Sequence, residues 1–307
     1  MRAALALTAI SLAAACGEAV VPETVRLDPT GYATAGAFLS CFEDKAPLVS
    51  AHRGGPAPGY PENTIEAFEN TLAQVPALIE TDVRATRDGE FVLFHDDDVK
   101  RLTGAEGEVA DMTLAELKAL RLIDMNGRQT DFQIPTLDEA LEAMRGRTVL
   151  QLDVKRGVSL AGVARAVERA GAESYAGIIT YTDQGARIVA ERSDWVTVIP
   201  GADDMGDIDR LAREGADAER LVIWTGISRG PVDEAFVEAL GERDIPASGG
   251  ALGFLDDRAE AGVGGVYAGL ADAGIDIIAT DRPVEAARAL GIAQVAETMQ
   301  ACRIAKD

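Results

Sequence analysis

Residues 77–96 read Ala77-Leu-Ile-Glu80-Thr-Asp82-Val-Arg-Ala-Thr-Arg-Asp88-Gly89-Glu-Phe91-Val-Leu-Phe-His95-Asp96. Two apolar, β-rich runs flank Asp88-Gly89. Parallel strands need a crossover of a dozen or more residues, whereas Asp-Gly is a hairpin turn. The second run must therefore fold back antiparallel beside the first. Counting outward from the turn puts His95 opposite Asp82, to within a residue. Glu80 and Asp82 are two apart, so in a strand they share one face.

The chain on either side supplies the scaffold. Pro47–Ala51 is a short apolar strand with His52-Arg53 at its carboxyl end, and Thr64 or Asn63 caps a helix carrying Ile65, Phe68 and Leu72. Beyond Asp96 a polar stretch, 97–133, holds one helix near Leu114–Leu120 and is read as an insertion over the site. Apolar runs at Thr148–Val154, Ala176–Tyr181, Trp195–Ile199, Leu221–Thr225, Ile245–Ser248 and Ile275–Ala279 then alternate with helical stretches. With the hairpin return set aside, eight strands each precede a helix. This predicts a (β/α)8 barrel of the TIM type, with an antiparallel hairpin after strand two. An open doubly wound sheet lacks its Gly-x-Gly-x-x-Gly turn after strand one.

The chain has 307 residues, 47% apolar and 26% charged, which suits a soluble domain with a sizeable core. A net charge of −22 argues against nucleic-acid binding. That field also repels anions, so a phosphate site here needs its own positive charge. Residues 1–16 combine a basic start, a short apolar run and small residues before Cys16. They read as an export signal of lipoprotein type, too short for the roughly 20 residues of a membrane span. Lipidation at Cys16 or plain cleavage follows from it, and with either one a periplasmic location. Residues 17–46 are read as a tether with a short helix near Ala33–Phe42, residues 47–295 as the barrel, and 296–307 as a tail. Export puts Cys41 and Cys302 in an oxidising compartment. They flank the barrel, and a disulfide between them is expected, against the alternative of two buried thiols.

In such a barrel the carboxyl ends of the strands face a common mouth, where active sites lie. Both histidines of the chain, His52 and His95, fall there, with Arg53, Glu80, Asp82, Asp153 and Lys155. Three carboxylates offer hard oxygen ligands suited to Ca²⁺ or Mg²⁺. Two imidazoles can serve as general acid and base. Arg53 and Lys155 can hold phosphate oxygens. Together these suit displacement at a phosphodiester. Glu62 and Asn63, in the loop after strand one, stand behind them as supporting residues. Trp195 and Trp224 read as core or pocket wall, and Asp281 as a cap for a last helix with Pro283 in its first turn.

The ordered motifs His52-Arg53-Gly54, Pro61-Glu62-Asn63-Thr64 with Ala67-Phe68, Glu80-x-Asp82-Val83 and Thr86-x-Asp88-Gly89 resemble one family, the glycerophosphodiester phosphodiesterases. His95-Asp96, Arg101-x-Thr103-Gly104, Ile134–Glu139, Asp153-Val154-Lys155 and Thr280–Pro283 continue the resemblance, which covers residues 48–290. It implies a distorted barrel and a divalent ion, Ca²⁺ or Mg²⁺, on Glu80, Asp82 and Asp153. It implies acid–base roles for His52 and His95, phosphate contact by Arg53 and Lys155, and a small-molecule substrate cleaved to glycerol 3-phosphate and an alcohol. Two departures stand out. Asp153 replaces the usual glutamate, and the strand before the last reads Ile245-Pro-Ala-Ser-Gly-Gly-Ala-Leu252 where the family carries a Val-Trp-Thr-type run. Hydrolysis of a lysophospholipid or another exported phosphodiester is a second reading. A silent phosphodiester-binding lipoprotein is a third.

Overall fold

The structure, a computed structural model, describes residues 26–43, 45–227 and 230–304. The export signal and Cys16 lie outside them. Nine strands form one sheet: β1 (Leu48–Ala51), β2 (Leu78–Ala85), β3 (Phe91–Leu93), β4 (Leu150–Val154), β5 (Ala176–Thr180), β6 (Thr197–Pro200), β7 (Ile223–Ile227), β8 (Ala247–Gly250) and β9 (Ile277–Thr280). All but β3 are parallel and run in the order β6-β5-β4-β2-β1-β9-β8-β7. Between β6 and β7 only bridges at Val198–Leu221 and Gly201–Trp224 complete the circle. The eight-stranded barrel is thus nearly closed, as expected.

The hairpin is also as expected. β3 pairs antiparallel with β2, Val83 against Leu93, and the Phe94 N–H donates to the Asp82 carbonyl at 3.0 Å. His95 therefore sits one residue off the counted position, still at the mouth. After it, residues 97–133 fold around a core of their own, in which Val99, Leu102, Val109, Leu117 and Leu122 pack on Val92 and Phe94 of the hairpin. Thr113 opens the helix Leu114–Lys118 with a reciprocal bond to Glu116.

Two expectations about the ends are corrected. The stretch read as a tether is, from residue 26, part of the fold. Thr34 caps a helix over Ala35–Ser40, and Leu27, Phe38, Leu39 and Phe42 are buried against Leu48, Leu78 and Ile277. Those three begin or nearly begin their strands, so the segment plugs the amino-terminal end of the barrel. The stretch read as a tail belongs to a helix, Ile292–Ile304, whose Val295, Met299 and Cys302 join the same cluster. The short helix of the first piece falls where it was expected, but its burial, and that of the last helix, depends on strand ends far away in sequence. Cys41 and Cys302 form a disulfide across this base, closing 261 residues of chain, as expected. Trp195, just before β6, is 56% exposed and so is not core; it lines a surface pocket with Tyr32 and Ala33, away from the barrel mouth. No helix among the described residues is long and apolar enough to cross a membrane.

Candidate active site

The carboxylates come from two adjacent strands in matched register. Asp82 of β2 stands directly against Asp153 of β4, and Glu80 lies two residues back on the same face. All three are buried, and one oxygen from each falls within 4.8 Å of the others. Burial and the neighbouring Asp82 push the Glu80 carboxyl up to about 8. Lys155 spans the other two, with Nζ 2.6 Å from Asp82 Oδ1 and 2.6 Å from Asp153 Oδ2. Two cations, Lys155 and Arg53, face three carboxylates, and the raised Glu80 marks a cluster short of positive charge. An oxygen-only donor set with that excess suits a hard divalent cation.

Local backbone geometry sets the other groups. After β1 the chain turns sharply through His52–Gly54, with Arg53 at φ +52°. Gly54 is required there, because a Cβ would lie 2.1 Å from the Phe68 ring. This turn aims the Arg53 N–H at Glu80 Oε2, 2.7 Å away, and returns the guanidinium over the cluster. Its NH1 donates to Glu62 Oε1 at 2.9 Å, while Nε is buried 3.8 Å from Asp82 Oδ2 and makes no hydrogen bond. Asn63 is likewise left-handed, at φ +58°, and fully buried. Its Nδ2 donates to Asp82 Oδ2 at 2.7 Å, and its Oδ1 accepts from the Asp82 N–H at 2.9 Å and from Thr81 Oγ1 at 2.7 Å. Glu62 and Asn63 therefore hold Arg53 and Asp82.

Each histidine has a carboxylate behind it. His52 Nδ1 lies 2.6 Å from Asp281 Oδ1, and His95 Nδ1 lies 2.7 Å from Asp96 Oδ1. Both rings line one cavity, together with Glu80, Asp153 and Lys155. Burial works against the His52 imidazolium, but the Asp281 hydrogen bond and the Glu80 charge outweigh it and leave the pKa raised. Asp96 is held down to about 2 despite burial, chiefly by Arg101 and His95. Arg101 bonds both Asp96 oxygens at 2.6 and 3.1 Å, and both Glu62 oxygens at 2.9 and 2.7 Å. One guanidinium on the insertion thus ties the His95 pair to the Glu62–Arg53 pair.

Three supporting residues escape sequence reading. Asp281 does not cap the helix that follows it. That helix, Pro283–Leu290, has Pro283 at its first position as expected, but no side-chain cap. The Asp281 carboxylate turns to His52 instead. Its backbone N–H is fixed by buried Asp256, which also accepts from Thr280 Oγ1 and Tyr267 OH. Tyr181, just past β5, donates its hydroxyl to Asp153 Oδ1 at 2.6 Å. Arg101 appears in sequence only as part of a motif, with no partner to suggest its task.

Comparison with known proteins points the same way. Residues 52–217, more than half of the chain, match the model of the glycerophosphoryl diester phosphodiesterase family. A glycerophosphodiester phosphodiesterase of Caldanaerobacter subterraneus is 40% identical over 115 residues, which is 37% of this chain and 47% of that protein. The chain spans about half the length of the curated relatives it matches. A crystal structure of a glycerophosphoryl diester phosphodiesterase from Parabacteroides distasonis superposes with a TM-score of 0.75 at 34% identity, covering 83% of this chain and 91% of that one. A glycerophosphodiester phosphodiesterase from Agrobacterium tumefaciens shares the fold, with a TM-score of 0.64 at 24% identity over 79% of this chain and 99% of that one.

Proposed function

This chain belongs to the glycerophosphoryl diester phosphodiesterase family, and from that we propose that it hydrolyses glycerophosphodiesters to glycerol 3-phosphate and an alcohol. The observation that carries the reading is the pairing of two carboxylate-backed histidines with a three-carboxylate cluster in one cavity. Glu80, Asp82 and Asp153 would hold a divalent cation, Ca²⁺ or Mg²⁺. Bound there, such an ion supplies positive charge to the phosphate. Arg53 and Lys155, beside the carboxylate cluster, would hold phosphate oxygens. With Nδ1 of each histidine engaged by its aspartate, Nε2 is the nitrogen left to exchange protons with substrate. One imidazole takes the proton from the attacking oxygen and the other delivers one to the departing alcohol. The aspartates fix ring orientation and favour the imidazolium, as in other His–carboxylate pairs.

We further place the protein outside the cytoplasm, lipid-anchored at Cys16. The apolar run before that cysteine and the disulfide at the base support this. The test of function is release of glycerol 3-phosphate from glycerophosphocholine and glycerophosphoethanolamine with Ca²⁺, Mg²⁺ or EDTA, for wild type and His52→Ala. Release that needs both the ion and His52 is expected. Its absence from every diester would overturn the proposal.

A further inference from the structure

The three carboxylates of the cluster are held alike. Each has one oxygen engaged by a donor of the protein: Glu80 Oε2 by the Arg53 N–H at 2.7 Å, Asp82 Oδ2 by Asn63 Nδ2 at 2.7 Å, and Asp153 Oδ1 by the Tyr181 hydroxyl at 2.6 Å. An oxygen so engaged is turned toward its donor, and its twin is turned away. The twins on the two aspartates, Asp82 Oδ1 and Asp153 Oδ2, are the oxygens that Lys155 Nζ meets, each at 2.6 Å. A positive charge thus sits where the donors leave the aspartates free. Two of the donors are fixed by the fold. The Arg53 amide is main chain, and Asn63 is buried with both polar atoms of its side chain bonded. Tyr181 is different, being 70% exposed on the rim just past β5. It lies two residues beyond Ile179, the β5 partner of Asp153, so it shares the face of Asp153 and reaches back along it.

Resting on the proposed cation-dependent phosphodiesterase reading, we propose that Tyr181 is a positioning residue: it limits Asp153 to one oxygen toward the ion and thereby sets the preference between Mg²⁺ and Ca²⁺. Ca²⁺ accepts a carboxylate through one oxygen or through both. Mg²⁺ demands near-ideal octahedral geometry, which the narrow bite of a two-oxygen carboxylate spoils. With Oδ1 held by the hydroxyl, Asp153 offers Oδ2 alone, the arrangement that Mg²⁺ needs. Without the hydroxyl, Asp153 is free to turn and offer both oxygens, which Ca²⁺ uses and Mg²⁺ does not. The hydroxyl also withdraws charge from the carboxylate, so its loss makes Asp153 a stronger ligand for either ion. That second effect is common to both ions and largely cancels in the ratio of their affinities, which isolates the first.

Tyr181→Phe removes the hydroxyl and keeps the ring, on an exposed rim where folding is not at stake. Mg²⁺ and Ca²⁺ are each titrated by calorimetry into substrate-free protein stripped with EDTA, wild type and variant, at one pH so that proton competition is the same for both ions. Loss of a group that orients a ligand costs about 10–100-fold in metal affinity, and Ca²⁺ recovers part of that through the second oxygen. We expect the Mg²⁺-to-Ca²⁺ affinity ratio to fall at least about fivefold in Tyr181→Phe, and by the same factor in Tyr181→Leu, because the hydroxyl and not the ring acts. A smaller fall or a rise in Tyr181→Phe overturns the role of Tyr181 and leaves the phosphodiesterase reading standing. A fall in Tyr181→Leu alone assigns the effect to the ring and overturns it equally. Failure of the wild type to bind either ion overturns the cation site, and the role of Tyr181 with it. Release of glycerol 3-phosphate, assayed on the same preparation, reports on the phosphodiesterase reading by itself.

Discussion

Asn63 lets the site's support be weighed. It touches neither a histidine nor the open cavity, yet three hydrogen bonds converge on it. Asn63→Gly keeps the left-handed backbone and removes the side chain. The bond to the Asp82 carboxylate, between a neutral donor and a charged acceptor, contributes about 2 kcal/mol, and the other two about 1 kcal/mol each. Their loss strands the Asp82 N–H and Thr81 Oγ1 in the interior, so the cost is about 4 kcal/mol. That is a large fraction of the 5–15 kcal/mol typical of a domain, and it lowers Tm by roughly 8–16 °C. Asn63→Ala loses the same bonds and adds about 1 kcal/mol, because alanine resists φ +58°. Asp82 also loses the donor that orients it, so kcat/KM should fall about 10–100-fold in both variants. Thermal denaturation and steady-state kinetics on the two variants separate the terms. Near-native Tm and activity in Asn63→Gly would refute the assignment of Asn63 as the holder of Asp82.

Asp281→Asn removes the carboxylate that favours the His52 imidazolium. The His52 pKa should fall, and the limb of the kcat/KM profile that it governs should move to lower pH, with activity down about 10–100-fold; a profile that does not move breaks the pairing. Glu80 titrates at about 8, so below that pH a proton competes with the cation. Apparent Ca²⁺ or Mg²⁺ affinity, measured by calorimetry, should weaken about tenfold per pH unit from 8 down to 6, and a flat dependence counts against Glu80 as a ligand. By the same sign, the cation-free fold binds that proton more tightly than the unfolded chain and loses stability as pH rises from 4.5 to about 8. Replacing Cys41 and Cys302 by serine should cost about 5 kcal/mol, or roughly 10–20 °C in Tm, because the bond closes a very long loop. Activity at 25 °C should survive, since the base is remote from the mouth.

What could be read from the chain follows its local grammar. Asp88-Gly89 forces the hairpin, and period two puts Glu80 and Asp82 on one face. Those rules act over a few residues, so the barrel, the three carboxylates and both histidines emerge from them. Asp281 meets His52 across 229 residues, and no local pattern records such a meeting. The segment Thr280–Pro283 looks like a helix start because Pro283 is one, and the carboxylate beside it takes another partner. Tyr181 is similarly silent: a tyrosine after a strand has no stated target until β4 lies beside β5. The plug at the base fails for a different reason. Phe38 and Leu39 sit in a six-residue helix, and Phe42 just past its end, too short a run for a periodic signature, so their burial shows only once the strands they cover are assembled.

The disulfide at that base has a consequence for how the chain can be cut. The Cα atoms of Cys41 and Cys302 are 6.0 Å apart, so the folded polypeptide is close to a covalent ring. In a ring the choice of where the sequence starts is arbitrary. A single cut in an exposed loop such as that around Gly157, where a Cβ would meet nothing, would therefore leave one covalent molecule, its two pieces joined at the base. The first piece would still contain the unbroken run from His52 to Asp153 that supplies both histidines and all three carboxylates. Asp281, on the second piece, would stay tethered to the piece that carries His52 through the disulfide.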